Sequence, residues 1–191
     1  LTPPLKFKDI LLFHRIHRGD TTQYLTLETP LLNGYKHEMV VPRQFQNYTL
    51  LDELGKLDIP ILLKRGTWGT IDEILGACER ILVGGNEKVA ICLRGVVGAP
   101  SYRHVFPSIR WAPDIMMIPA LKELCNIPVI YDPSHSTGYR NFVPAISKAA
   151  IAAGADGLIV ESHPDPKHSI SDADQAISFD SLKDILRKIK K

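Results

Sequence analysis

The chain has 191 residues, 45% of them hydrophobic and 23% charged, which is enough to bury a core and ordinary for a globular protein. Its 23 Lys+Arg against 21 Asp+Glu give a net charge of +2, too small to argue for a nucleic-acid partner. No apolar run approaches the ~20 residues of a membrane span, and no signal-peptide pattern is present, so neither a membrane nor an export role is expected. The chain starts at Leu1 rather than Met, and a processed or incomplete chain is expected. Cys78, Cys92 and Cys125 lie in apolar stretches without metal-type spacing, and an odd count with no CxxC favours reduced, buried thiols in a cytoplasmic protein.

Residues 9–15 and 24–28 read as strands, and 37–43 (HEMVVPR) as a further one. Eight residues separate Glu28 from His37, too few for a crossover helix. Four segments then repeat one design, an apolar, β-branched run that stops abruptly at polar or glycine residues. They are 59–66 (IPILLKRG), 89–95 (VAICLRG), 127–135 (IPVIYDPSH) and 157–163 (GLIVESH). Unbroken apolar runs mark strands buried on both faces, as in a parallel sheet.

Between them the period turns helical. Thr70 and Glu73 form a capping-box pattern ahead of Ile71, Ile74, Leu75, Cys78, Ile81 and Leu82, and Gly84-Gly85 ends the helix. Residues 141–153 repeat the pattern. A last helix after Ser178 carries Phe179, Leu182, Ile185, Leu186 and Ile189 on one side and a solvated basic face on the other.

Alternation at this length predicts a (β/α) barrel or a doubly wound sheet, and no dinucleotide or Walker fingerprint supports the second. In a barrel the chemistry collects at the carboxyl ends of the strands. Counted as strands four to eight, those ends carry Arg43, then Lys64 and Arg65, Arg94, Asp132 and His135, and Glu161 and His163, with Asp172 in the following loop. The cations suit phosphate and carboxylate groups, and the imidazole with carboxylates suits a divalent metal. Taken singly, each has a plainer explanation: a solvated or surface-paired cation, or a structural histidine. His14, His17, His37, His104 and His168 keep that plainer explanation. The others are set apart by falling together on one expected face.

The strings LLKRG, CLRG, DPSHSTGYR, ADGLIVESHPDP and SISDADQ resemble the 3-deoxy-D-arabino-heptulosonate 7-phosphate (DAHP) synthases, chiefly their short microbial, type I beta-like branch. VPRQFQNYTLLDELGK is similar to that family's fourth-strand motif and its helix. The resemblance runs from residue 40 to 191, about four-fifths of the chain. It implies a TIM (β/α)8 barrel, incomplete or rebuilt at its N-terminal strands, since a whole one takes ~250 residues. The expected division is one barrel domain over 1–191, with a divergent part at 1–39 and strands four to eight with their helices at 40–191.

The resemblance further implies condensation of phosphoenolpyruvate with erythrose 4-phosphate to give DAHP and phosphate, the first step of the shikimate pathway. Arg43, Lys64 and Arg94 would hold phosphoenolpyruvate, His135, Glu161 and Asp172 would hold a divalent metal ion (manganese, iron, zinc or cobalt), and Lys64 and His135 would be catalytic. A homo-oligomer is expected. Two family motifs have no counterpart in the sequence: the first-strand AGPC, whose cysteine is a metal ligand, and the second-strand KPRTS that grips both phosphates. The alternatives are a degenerate, non-catalytic barrel kept as a binding or regulatory partner, and 3-deoxy-manno-octulosonate 8-phosphate synthase.

Overall fold

A computed structural model of the chain describes residues 42–98, 105–109 and 111–189 with their side chains, and 11–18, 21–26 and 38–40 by backbone path and pairing. The apolar runs are strands: β4 (Ile61–Lys64), β5 (Val89–Leu93), β6 (Val129–Tyr131) and β7 (Gly157–Glu161). They lie parallel and adjacent in sequence order, as expected, with Leu63 opposite Ile91, Ile91 opposite Val129, and Tyr131 opposite Leu158. Every residue of β4, β6 and β7 is buried. Two covered faces account for the unbroken apolar runs.

Helices cover the outer face. α1 (Tyr48–Gly55) precedes β4, α2 (Ile71–Val83) joins β4 to β5, and α3 (Met117–Leu124) lies before β6. After β6 come α4 (Pro133–Thr137) and α5 (Val143–Ala152), and α6 (Phe179–Ile189) follows β7. The expected capping box is formed: Glu73 N–H donates to Thr70 Oγ1 at 3.2 Å, and Thr70 N–H to Glu73 Oε2 at 2.7 Å. The stripe behind it (Ile74, Ala77, Cys78 and Ile81) packs into one core with Leu51 and Leu54 of α1 and with Leu63 and Ile91 of the sheet. Full burial of such side chains contributes about 1.5–3 kcal/mol each. Gly55 and Gly84 let α1 meet the end of α2: a Cβ on Gly84 would stand 2.7 Å from Gly55 Cα.

The N-terminal part departs from a regular barrel. The strands expected at 9–15 and 24–28 are β1 (Leu11–Arg18) and β2 (Thr21–Thr26), and they pair antiparallel, with Arg18 opposite Thr21. Two intervening residues permit a hairpin and cannot hold a parallel crossover. β1 also runs parallel to β7, with Arg15 opposite Glu161. The strand expected at 37–43 is β3 (Glu38–Val40), parallel to β4, and Pro42–Gln44 form a 3-10 turn instead. The sheet order is β2-β1-β7-β6-β5-β4-β3. Among the described residues the parallel strands β1, β7, β6, β5, β4 and β3 therefore form a curled half-barrel, with the antiparallel β2 at one edge of the sheet and β3 at the other, and the closed eight-stranded barrel is not what they build. No helix among these residues is long and apolar enough to cross a membrane.

Candidate functional site

Because β4 to β7 are parallel, the residues that end them emerge on one side of the sheet. Lys64 closes β4, Arg94 follows β5, Asp132 follows β6 and Glu161 closes β7. Lys64 and Asp132 are almost wholly buried, at 4% and 1% exposure. Buried charges are costly unless paired and hydrogen-bonded, and these two are paired with each other. Lys64 Nζ donates to Asp132 Oδ2, and His135 Nδ1 lies 2.7 Å from the same oxygen. Asp132 Oδ1 accepts the His135 backbone N–H at 2.8 Å. One carboxylate thus joins β4 to the segment after β6 and brings Lys64 Nζ within 3.5 Å of His135 Nδ1.

The local sequence makes this joint. The segment expected as strand up to His135 stops at Tyr131, and Asp132-Pro-Ser-His begins α4, with Asp132 as its N-cap and Pro133 in its first turn. That pairing is a strong helix start, since proline lacks the N–H that the first turn leaves unused. Ser134 Oγ accepts the Glu161 backbone N–H at 3.0 Å, tying α4 to the end of β7. Gly138 ends α4 with φ +63°, and a Cβ there would stand 2.4 Å from the Ser108 carbonyl oxygen.

Burial pushes the Asp132 carboxyl up, but His135 and Lys64 outweigh it and hold the group well below the ordinary carboxylate range. For Lys64, burial pulls the ammonium down; the Asp132 charge, aided by Cys92 and the Asp132 hydrogen bond, more than offsets it, so the net shift is upward. Both groups stay ionised. An ionised carboxylate only accepts, so His135 Nδ1 carries a proton toward Asp132 and Nε2 faces the other way.

That other side is where the acidic groups stand. Nε2 of His135 is 3.8 Å from Asp172 Oδ2, and one ligand atom each from His135, Glu161 and Asp172 lie within 4.8 Å of one another. Ligands about 2.0–2.3 Å from one transition-metal ion stand about 3–4.6 Å apart, so the group lies close to ligand spacing and would draw in slightly around an ion. The donor set of one imidazole and two carboxylates, with Asp132 fixing the imidazole from behind, suits a divalent metal. Asp172 has φ +55°, in the left-handed region, and its carbonyl accepts the N–H groups of Gln175 (3.1 Å) and Ala176 (2.9 Å).

The cation ring is less uniform than the sequence reading had it. Arg94 is half-buried, its guanidinium carbon 5.5 Å from the Trp111 ring centroid. Arg43 is exposed on the 3-10 turn after β3. Arg65 departs: alternation sends it away from Lys64, into a buried pair with Asp114. Asp114 also accepts Gly95 N–H at 2.9 Å and the Tyr131 hydroxyl at 3.0 Å, which fixes the chain beside Arg94. Sequence reasoning left Asp114 unmarked, in a stretch with no clear period. His163 is tied to Asp165 N–H at 3.0 Å, and His168 pairs with Asp165 at the surface.

None of the three cysteines belongs to the three-residue metal-spaced group. Cys92 is buried in β5 and Cys78 in α2, where burial pushes each thiol up to about 12, while Cys125 caps the end of α3.

A family model described as DAHP synthetase I family matches residues 39–191. The chain belongs to the DAHP synthetase I family. Within it, the chain is 40% identical over 149 residues to a phospho-2-dehydro-3-deoxyheptonate aldolase of Thermotoga maritima, across 78% of this chain and 42% of that protein. A 2-dehydro-3-deoxyphosphooctonate aldolase of Desulfotalea psychrophila is 31% identical, across 74% of this chain and 51% of that protein. The crystal structure of a Thermotoga maritima DAHP synthase matches with a TM-score of 0.75 at 37% identity, covering 81% of this chain and 44% of that one. The chain thus spans about half, or less, of the length of these family relatives.

Proposed function

We propose that residues 40–191 carry the phosphoenolpyruvate half and the metal half of a site that condenses phosphoenolpyruvate with erythrose 4-phosphate, giving DAHP and phosphate at the entry to the shikimate pathway. The observation that carries this reading is the shared Asp132 carboxylate, which holds the charged Lys64 against the imidazole of a metal-spaced triad. An ammonium beside a metal-type cluster is what an anionic enol and an aldehyde need when they must meet. The identities favour the heptulosonate branch over the octulosonate one, at 40% against 31%.

In this reading Lys64 and Arg94, with Arg43 at the rim, bind the phosphate and carboxylate of phosphoenolpyruvate. His135, Glu161 and Asp172 would hold the divalent ion, which supplies Lewis acidity toward an aldehyde oxygen. The C3 carbon of the enol bonds to the aldehyde carbon, the aldehyde oxygen gains a proton, water adds at C2, and phosphate leaves from C2. Lys64 stabilises negative charge throughout and, being held protonated by Asp132, is placed to deliver a proton. Free thiols, those of Cys78 and Cys92 buried and that of Cys125 half-buried, support a reducing, cytoplasmic setting, and the sheet edges at β2 and β3 support assembly with further copies.

A second reading is a non-catalytic barrel that binds without turnover, favoured by the lack of a counterpart to the AGPC and KPRTS motifs. Calorimetric titration with phosphoenolpyruvate, alongside a phosphate-release assay with erythrose 4-phosphate and Mn²⁺, separates the two. We expect measurable phosphoenolpyruvate binding with very low turnover. Losing one preorganised charge-stabilising group costs about 10²–10³ in rate, and two motifs are involved. Robust turnover would show that the β1–β2 region supplies both functions. No binding of phosphoenolpyruvate would favour the non-catalytic barrel.

A further inference from the structure

Asp172 holds φ +55°, a conformation that residues other than glycine keep where the surrounding structure over-determines them. Part of that structure is the loop's own turn, closed on the Asp172 carbonyl, and its return to β7, where Ile177 N–H donates to the Glu161 carbonyl at 3.0 Å. These bonds fix the loop to the strand that carries Glu161. They fix it to His135 on α4 only indirectly, through Ser134 Oγ, which ties that helix to the same strand end.

The direct connection is made by Arg140. Its backbone N–H donates to the Asp174 carbonyl at 2.8 Å, Nη2 donates to the Ala173 carbonyl at 2.5 Å, and Nε makes a longer 3.5 Å contact to Asp174 O. Arg140 therefore turns its fork onto two successive main-chain carbonyls, those directly after Asp172. It lies five residues beyond His135, and the left-handed Gly138, locked against Ser108, turns the chain between them. A planar fork with several fixed donors can span neighbouring carbonyls, whereas a lysine offers one mobile point charge.

We propose that Arg140 is a positioning residue: it sets the distance between Asp172 and His135 by clamping the backbone of the Asp172 loop to the segment that carries the imidazole. This rests on the reading of His135, Glu161 and Asp172 as a metal site. The Arg140 guanidinium bonds to main-chain carbonyls, and its effect passes through the 172–174 backbone.

The test is a Mn²⁺ titration of the whole chain, by calorimetry and by loss of the free-ion electron paramagnetic resonance signal, on the unaltered protein, R140A, R140K, D172A and the R140A/D172A pair. Loss of a group that orients a metal ligand typically costs 10–100-fold in affinity, and we expect that loss in R140A, with R140K intermediate. In the D172A background the R140A change should alter affinity by less than about two-fold, because a residue acting through Asp172 has nothing left to position. A general structural role would instead multiply the two losses, and that result overturns the proposal. So does R140A binding as tightly as the unaltered chain. If R140A fails to fold, R140K carries the same comparison. Failure of the unaltered chain to bind Mn²⁺ overturns the metal reading, and this role with it; the other two outcomes leave the metal reading standing.

Discussion

Asp132 holds more of the site together than any other side chain described here. Its two oxygens accept from Lys64, from the His135 ring and from the His135 backbone. In D132N the Lys64 charge stays buried without a counter-ion, and breaking a buried pair in this way costs about 3–5 kcal/mol. Urea denaturation is expected to show that loss, and a Mn²⁺ titration a 10–100-fold weaker affinity. The pH dependence follows from the two shifts. The folded value of Asp132 lies below its ordinary 3.8, so its contribution is present above pH 3.8 and is lost as pH falls toward the folded value. Lys64 is raised above 10.5, so its contribution is complete below pH 10.5 and is lost as pH rises through the folded value. D132N should flatten both limbs of the stability curve; a D132N curve with both limbs intact would count against the joint. Lys64, Arg94, His135, Glu161 and Asp172 were legible because each follows or closes an apolar run or sits in a recognisable motif. The tie between positions 64 and 132 was not, since it exists only once β4 and β6 flank β5. Asp114 was missed for the same reason: its partners, Arg65, Gly95 and Tyr131, come from three different strand ends.

The elements follow local chemistry where local chemistry is strong. The α2 capping box was readable from Thr70 and Glu73 alone, and T70A should cost about 1 kcal/mol in thermal or urea unfolding; no loss would mean that the cap is idle. Gly84 is a helix stop in sequence and a contact point in the fold. G84A drives a Cβ against the Gly55 backbone, and overpacking of this kind costs about 1–3 kcal/mol. An unchanged midpoint would show that α1 and α2 can part freely. The 127–135 segment was read too long as a strand. Asp-Pro is itself a helix-start signal, and the preceding apolar run concealed it; the consequence is functional, because His135 gains its orientation from α4 and its cap. The thiols give an independent check on packing. Cys78 and Cys92 are buried and Cys125 is half-buried, so one thiol is expected to react with a soluble maleimide in the native chain and three in denaturant.

The whole molecule combines a parallel half-barrel that the sequence announces with an N-terminal hairpin that it announces only in part. Strands were expected at 9–15 and 24–28; they run instead over 11–18 and 21–26, and the two residues this leaves between them, rather than the wider gap the sequence suggested, set the antiparallel pairing. The central claim is that the ends of β4 to β7 bring an anion-binding half and a metal-binding half onto one side of one sheet. Arg94 tests the anion half most cleanly, since it is half-buried and its removal leaves the Lys64–Asp132 pair whole. The most direct measurement is the calorimetric affinity for phosphoenolpyruvate of the unaltered chain, R94A and H135A, each with and without Mn²⁺. We expect R94A to weaken binding about 10–100-fold, the loss that follows from about 1.5–3 kcal/mol in a charge-assisted hydrogen bond. We also expect Mn²⁺ to change the affinity of the unaltered chain and to leave that of H135A unmoved. Equal affinity in all three proteins, unaffected by Mn²⁺, would contradict a shared site.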